Sequence, residues 1–75
     1  MKHNIQYYKK YNGISKDIFV VLKDIGVSNV SLSNIRIIAD RNNIKNYKHT
    51  KAQDIMIINL AKNGMLIKKK YKGGE

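Results

Sequence analysis

The chain has 75 residues, room for one small domain with a limited core. It has no cysteine, which excludes a disulfide framework and a thiolate metal site, and its two histidines, His3 and His49, stand far apart. Fifteen Lys and Arg against five acids leave a net charge of +10, which favours nucleic acid or another polyanion as partner.

An AT-rich coding bias raises Lys, Ile and Asn together, but it does not explain why glutamate occurs once, at Glu75. The opening MKHNIQ has no apolar run of a secretory signal, and no stretch approaches the roughly 20 apolar residues of a membrane span. The expectation is a soluble intracellular protein with no membrane partner, cytoplasmic or, for a phage or mobile-element product, in the virion.

Residues 1–14 read as a basic aromatic arm, with Tyr7, Tyr8 and Tyr11 interleaved with Lys9 and Lys10. Such rings can stack on bases while lysines meet phosphates, or they can pack on the domain as a hydrophobic lid, the reading favoured here. Asn12-Gly13 is a turn signal.

A first helix is predicted over 15–25, capped by Ser15, with Asp17 in its first turn. Ile18, Val21, Leu22 and Ile25 recur at helical spacing, and Gly26 follows as a left-handed C-terminal cap. Residues 27–31 read as an extended connection with Val27 and Val30 as candidates for burial. The second helix runs from 32 or 33 to 42, with Ser31 or Ser33 as its cap. Ile35, Ile38 and Ala39 share one face, Ile37 lies opposite, and Asn42-Asn43 ends the helix because Asn tolerates the left-handed conformation.

Thr50-x-x-Gln53 is a capping box for a third helix over 50–63, closed by Gly64. Its apolar set, Ile55 to Ile58 with Leu60 and Ala61, covers more than half the helix, as in a central helix or one with an outside partner. A strand over 55–58 competes, but the cap in front argues for helix. Met65, Leu66 and Ile67 fold back on the core, and 68–75 form a basic flexible tail. The expected core is Ile18, Leu22, Ile25, Ile35, Ile38, Ala39, Ile44, Tyr47, Met56 and Leu60. The expected class is all-α, one three-helix domain over 15–67 between two basic arms.

Leu32-Ser33-x-Ile35-x-x-Ile38-Ala39, then Asn42-Asn43-Ile44, Lys45-Asn46-Tyr47 and Lys51-Ala52-Gln53-Asp54-Ile55-Met56 with Leu60, resemble the helix–extended loop–helix family of SAP domains and the N-terminal subdomain of terminator Rho. The match covers about half the chain, within 30–64, without a gap. Asn43 stands where members usually carry Gly, and Asn59 where many carry an apolar residue. The resemblance implies a helix–link–helix unit in a family of DNA binders, RNA-binding accessories and interaction modules, so fold alone does not choose among them.

Catalysis finds no Ser–His–acid set, carboxylate pair or phosphate-cradling Gly loop, so the chain reads as a non-enzyme with no cofactor. The expected function is sequence-independent nucleic-acid binding, DNA ahead of RNA, through phosphate contacts. The candidate residues are Arg36, Arg41, Lys45, Lys48, His49 and Lys51 around the interhelical link, with Lys68, Lys69, Lys70 and Lys72 in the tail. For His49, a solvated loop residue is the plainer reading. The free amides of Thr50 to Gln53 at the start of the third helix add a candidate phosphate site. The alternative is a protein-interaction or virion-assembly module that uses the broad apolar third helix, its lysines facing a polyanionic neighbour.

Overall fold

The computed structural model describes residues 5–70, in the order β1 (Ile5–Tyr7), α1 (Ile18–Asp24), α2 (Leu32–Arg41), α3 (Lys51–Lys62) and β2 (Ile67–Lys70). The three expected helices are present, but the fold is mostly helical rather than all-α. β1 and β2 form a two-stranded antiparallel ribbon that pairs Ile5 with Lys70, Gln6 with Lys69 and Tyr7 with Ile67. Lys68 is the extra residue of a bulge between the last two pairs. The ribbon follows from burial on both of its approaches. Leu66 is fully buried, so the chain after α3 turns back onto the core. Tyr11 is buried as well, and the N-terminal segment is tied to the returning chain by Tyr8 N–H donating to Leu66 O and Tyr11 N–H to Ala61 O, both at 2.9 Å. Residues 5–7 and 67–70 are thereby set side by side and pair.

α1 starts later than expected. Its cap is Asp17, whose Oδ1 accepts from Phe19 N–H at 2.9 Å, and not Ser15. Ser15 is held one step earlier: its N–H donates to the Tyr11 hydroxyl at 2.8 Å, and its Oγ accepts from Asp17 N–H at 3.0 Å. Gly13 lies against the Tyr11 ring, where a Cβ would collide with it. Ser31 caps α2, and the Thr50–Gln53 box caps α3 with both of its bonds present.

The three helices stop in the same way. Val27, Ile44 and Met65 each donate an N–H back to the carbonyl five residues earlier, on Leu22, Ala39 and Leu60, at 2.8–2.9 Å. The preceding residues, Gly26, Asn43 and Gly64, all have positive φ, the left-handed turn of a Schellman cap. Asn43, at φ 65°, thus adopts the conformation for which the Asn-Asn pair was read.

The backbones of α1 and α3 approach each other, and that of α2 approaches β2. The core between them contains Ile18, Val21, Leu22, Ile25, Ile35, Ile38, Ala39, Ile44 and Tyr47, joined by Ile57, Ile58, Ala61 and Leu66. Met56 was expected in this core but is half-exposed, and Leu60 is only partly buried. α3 therefore buries one face through Ile57, Ile58 and Ala61 and leaves Ile55 and Met56 outside. Ile37 is also on the open side.

Candidate nucleic-acid interface

The link between α2 and α3, residues 43–50, is a compact ordered segment. Asn46 and His49 have positive φ, so it turns twice within four residues. Gln53 holds it from α3: Oε1 accepts from Lys48 N–H at 2.7 Å and from Thr50 N–H at 3.4 Å, while Nε2 donates to Asn46 O at 3.0 Å. Tyr47 plugs the core with its ring and donates its hydroxyl to Asp54 Oδ1. Burial, and then the adjacent Asp54 carboxylate that accepts its proton in a hydrogen bond, push the Tyr47 hydroxyl well above the usual tyrosine range. The other Asp54 oxygen lies 3.2 Å from His49 Nε2, a charge pair when the imidazole is protonated. The His49 ring meets Phe19 edge-on at 5.7 Å between centroids.

These bonds change what the link offers an anion. Gln53 N–H is taken by Thr50 Oγ1 at 3.2 Å, and the amides of Lys48 and Thr50 are taken by Gln53. Of the four amides expected to receive a phosphate at the start of α3, those of Thr50 and Gln53 are satisfied from within. Side-chain charge is the larger offer. Lys48 and Lys51 are exposed, and Lys45 is exposed too, with Nζ 2.9 Å from Asp40 Oδ1.

Arg36 is exposed on α2, whereas Arg41 reaches away from the link, donating from Nη1 to Lys68 O at 3.0 Å. Beside it, Asn42 is buried, and its side chain acts as a substitute strand. It accepts from Ile67 N–H at 2.7 Å, donates to Ile67 O at 3.3 Å, and donates to Ile38 O at 2.8 Å. The C-terminal end of α2 thus holds β2, with Lys68, Lys69 and Lys70 exposed along it. Lys68 Nζ sits 6.0 Å from the centre of the Tyr8 ring. Lys72 lies outside the described residues.

The carboxylates near these cations are spent on internal contacts. Asp17 caps α1, Asp40 meets Lys45, and Asp54 serves Tyr47 and His49. Two cations not singled out in the sequence, Lys16 and Lys62, join Lys51 around a cleft of about 310 Å³ also lined by Ile55 and Ile58. Their sequence signal was only that they flank apolar helical runs.

Among the described residues, no helix is long and apolar enough to cross a membrane, and no group of three or more His, Cys, Asp or Glu side chains could hold a metal ion. No family model, curated protein or solved structure matches the chain.

Proposed function

We propose that this protein binds nucleic acid independently of sequence, DNA ahead of RNA, through lysines and arginines that meet phosphates. The observation that carries the reading is the junction at the end of α2. Asn43 opens the link that bears Lys45, Lys48 and Lys51, while Arg41 and Asn42 grip β2, which bears Lys68, Lys69 and Lys70. Two basic segments far apart in sequence thus leave from one end of one helix. Lysines placed on phosphates carry no base information, so such a surface binds without sequence preference.

A titration against double-stranded DNA, single-stranded DNA and RNA at two salt concentrations tests it. Affinity is expected to fall steeply with salt. Replacing Lys45, Lys48 and Lys51 together by Ala is expected to lower the salt slope on duplex DNA by about two to three units, at ~0.9 per lost phosphate contact. Unchanged affinity for every nucleic acid in the triple variant would remove the link from the contact surface.

One observation favours a second reading, a protein-interaction or assembly module. Ile55, 44% exposed on α3, lines the cleft with Lys16, Lys51 and Lys62 at its margin, while Met56, 50% exposed, lines a second cleft beside Asn43 and Ile44. Lys51 and Lys62 are eleven residues apart, about 16 Å along the helix, so an acidic amphipathic partner helix would meet charge at both ends of an apolar seam. A partner complex insensitive to salt would favour this module over the nucleic-acid binder.

A further inference from the structure

The three N-terminal tyrosines, equivalent in sequence, have separate fates. Tyr11 is buried, with its hydroxyl occupied by Ser15 N–H. Tyr8 is half-buried against the core with Lys68 over its ring. Tyr7 is 46% exposed. Side chains alternate along a strand and cross-strand partners share a face. Ile5, Tyr7 and Lys70 therefore stand on one face of the ribbon, since Ile5 pairs with Lys70 and Tyr7 is two residues from Ile5. Tyr7 and Lys70 are then one strand step of about 6.6 Å apart along the ribbon, at ~3.3 Å per residue. The ribbon beneath them is anchored through Asn42 and Arg41, so the ring is presented on a held backbone.

An exposed aromatic ring beside a lysine suits a flat base that carries a phosphate. A duplex has its bases stacked on one another already, whereas a single strand can lay an unpaired base on the ring. We propose that Tyr7 is a stacking platform for an unpaired base of single-stranded nucleic acid, with Lys70 at the adjoining phosphodiester. This rests on the nucleic-acid reading above and adds to it a preference for single strands. Duplexes would be held by the lysines and arginines alone.

The test uses the full chain, a short oligothymidylate and a duplex of equal charge, with the variants Tyr7→Ala and Tyr7→Phe. The chain has five tyrosines and no tryptophan, so tyrosine emission reports the contact directly. Tyr7→Ala is expected to weaken oligothymidylate binding by about 5- to 150-fold, the equivalent of ~1–3 kcal/mol of stacking per base, and to leave the duplex affinity unchanged. Tyr7→Phe is expected to retain single-strand affinity, because its ring still stacks, while losing part of the emission quenching seen in the parent. Thermal unfolding checks that both variants keep the parent fold. Parent-like oligothymidylate affinity in Tyr7→Ala, or an equal loss on single strand and duplex, would overturn the platform while leaving phosphate binding intact. A parent that binds neither single strand nor duplex would overturn the underlying reading.

Discussion

The link and the ribbon are both basic, and the end of α2 opens the one and anchors the other, but their hydrogen bonds are of very different range. In the link, the bonds of Gln53 to Asn46, Lys48 and Thr50, and of Tyr47 to Asp54, span three to seven residues. In the ribbon, Asn42 reaches Ile67 across 25 residues and Arg41 reaches Lys68 across 27. β1 and β2 pair the two ends of the described chain. The hydrogen bonds of the link need only α3 in place, although Tyr47 is also seated in the core and His49 meets Phe19. The ribbon's anchors belong to α2, so they form only where the returning chain meets the end of that helix. Long-range closure costs more entropy than local closure, so the ribbon depends more on each anchor that holds it.

Asn42→Ala tests that dependence and carries the largest expected effect. It removes three side-chain hydrogen bonds and leaves Ile67 N–H without its acceptor. The expected loss is about 2–4 kcal/mol, combining lost bonds and an unsatisfied partly buried amide. Urea unfolding measures it, and amide exchange should show Tyr8 and Ile67 losing protection before the link does. An Asn42→Ala variant as stable as the parent would show that β2 does not need α2 to hold it.

Tyr47→Phe is the matching change in the link. It keeps the ring in the core and removes the bond to Asp54, for an expected loss of about 1–3 kcal/mol near neutral pH. It also has a pH signature of known sign. The folded state holds the Tyr47 proton more tightly than the unfolded chain does. That stabilisation is complete below the ordinary tyrosine value of about 10 and is lost as pH rises above it, by ~1.4 kcal/mol per unit for one proton. The parent should therefore lose its advantage over Tyr47→Phe between about pH 10 and 12 in paired thermal melts. A constant difference across that range would mean that the Tyr47 hydroxyl is not held by burial and Asp54.

The same division by range explains what could be read from the chain. Ser31, Thr50-x-x-Gln53, Gly26, Asn43 and Gly64 act on neighbours a few residues away, and the end of α1 and the starts and stops of α2 and α3 follow them. Ser15 misled because Tyr11, through a turn at Gly13, occupies its N–H and moves the cap to Asp17. Met56 misled for a different reason. A helix with apolar residues on most sides does not declare which side docks, and the assembled core took Ile57, Ile58 and Ala61. Neither IQY nor IKKK carries a strand pattern, and nothing in Asn42 announces Ile67. The fate of each N-terminal tyrosine depended on that ribbon. At the candidate interface the residue types were legible, but their partners were less so: Arg41 belongs to the ribbon, and Gln53 takes up the amides of Lys48 and Thr50.

The smallest expected stability change sharpens the comparison in charge. Lys45 and Asp40 form an ion pair with side chains 64% and 66% exposed, so removing it should alter stability by less than about 0.5 kcal/mol. Its effect on binding should be easier to see. The pair holds a carboxylate beside Lys45, which offsets the attraction of that lysine for a phosphate. Asp40→Asn preserves the size of the side chain and takes away the charge. If the link touches nucleic acid, the variant should bind duplex DNA more tightly at low salt, with a slope steeper by up to about one unit as Lys45 becomes a full phosphate contact. If the ribbon alone makes the contact, Asp40→Asn should leave affinity and slope within error of the parent, while replacing Lys68, Lys69 and Lys70 by Ala should lower the slope. Measuring both variants on the same duplex assigns the phosphate contacts to the link, to the ribbon or to both.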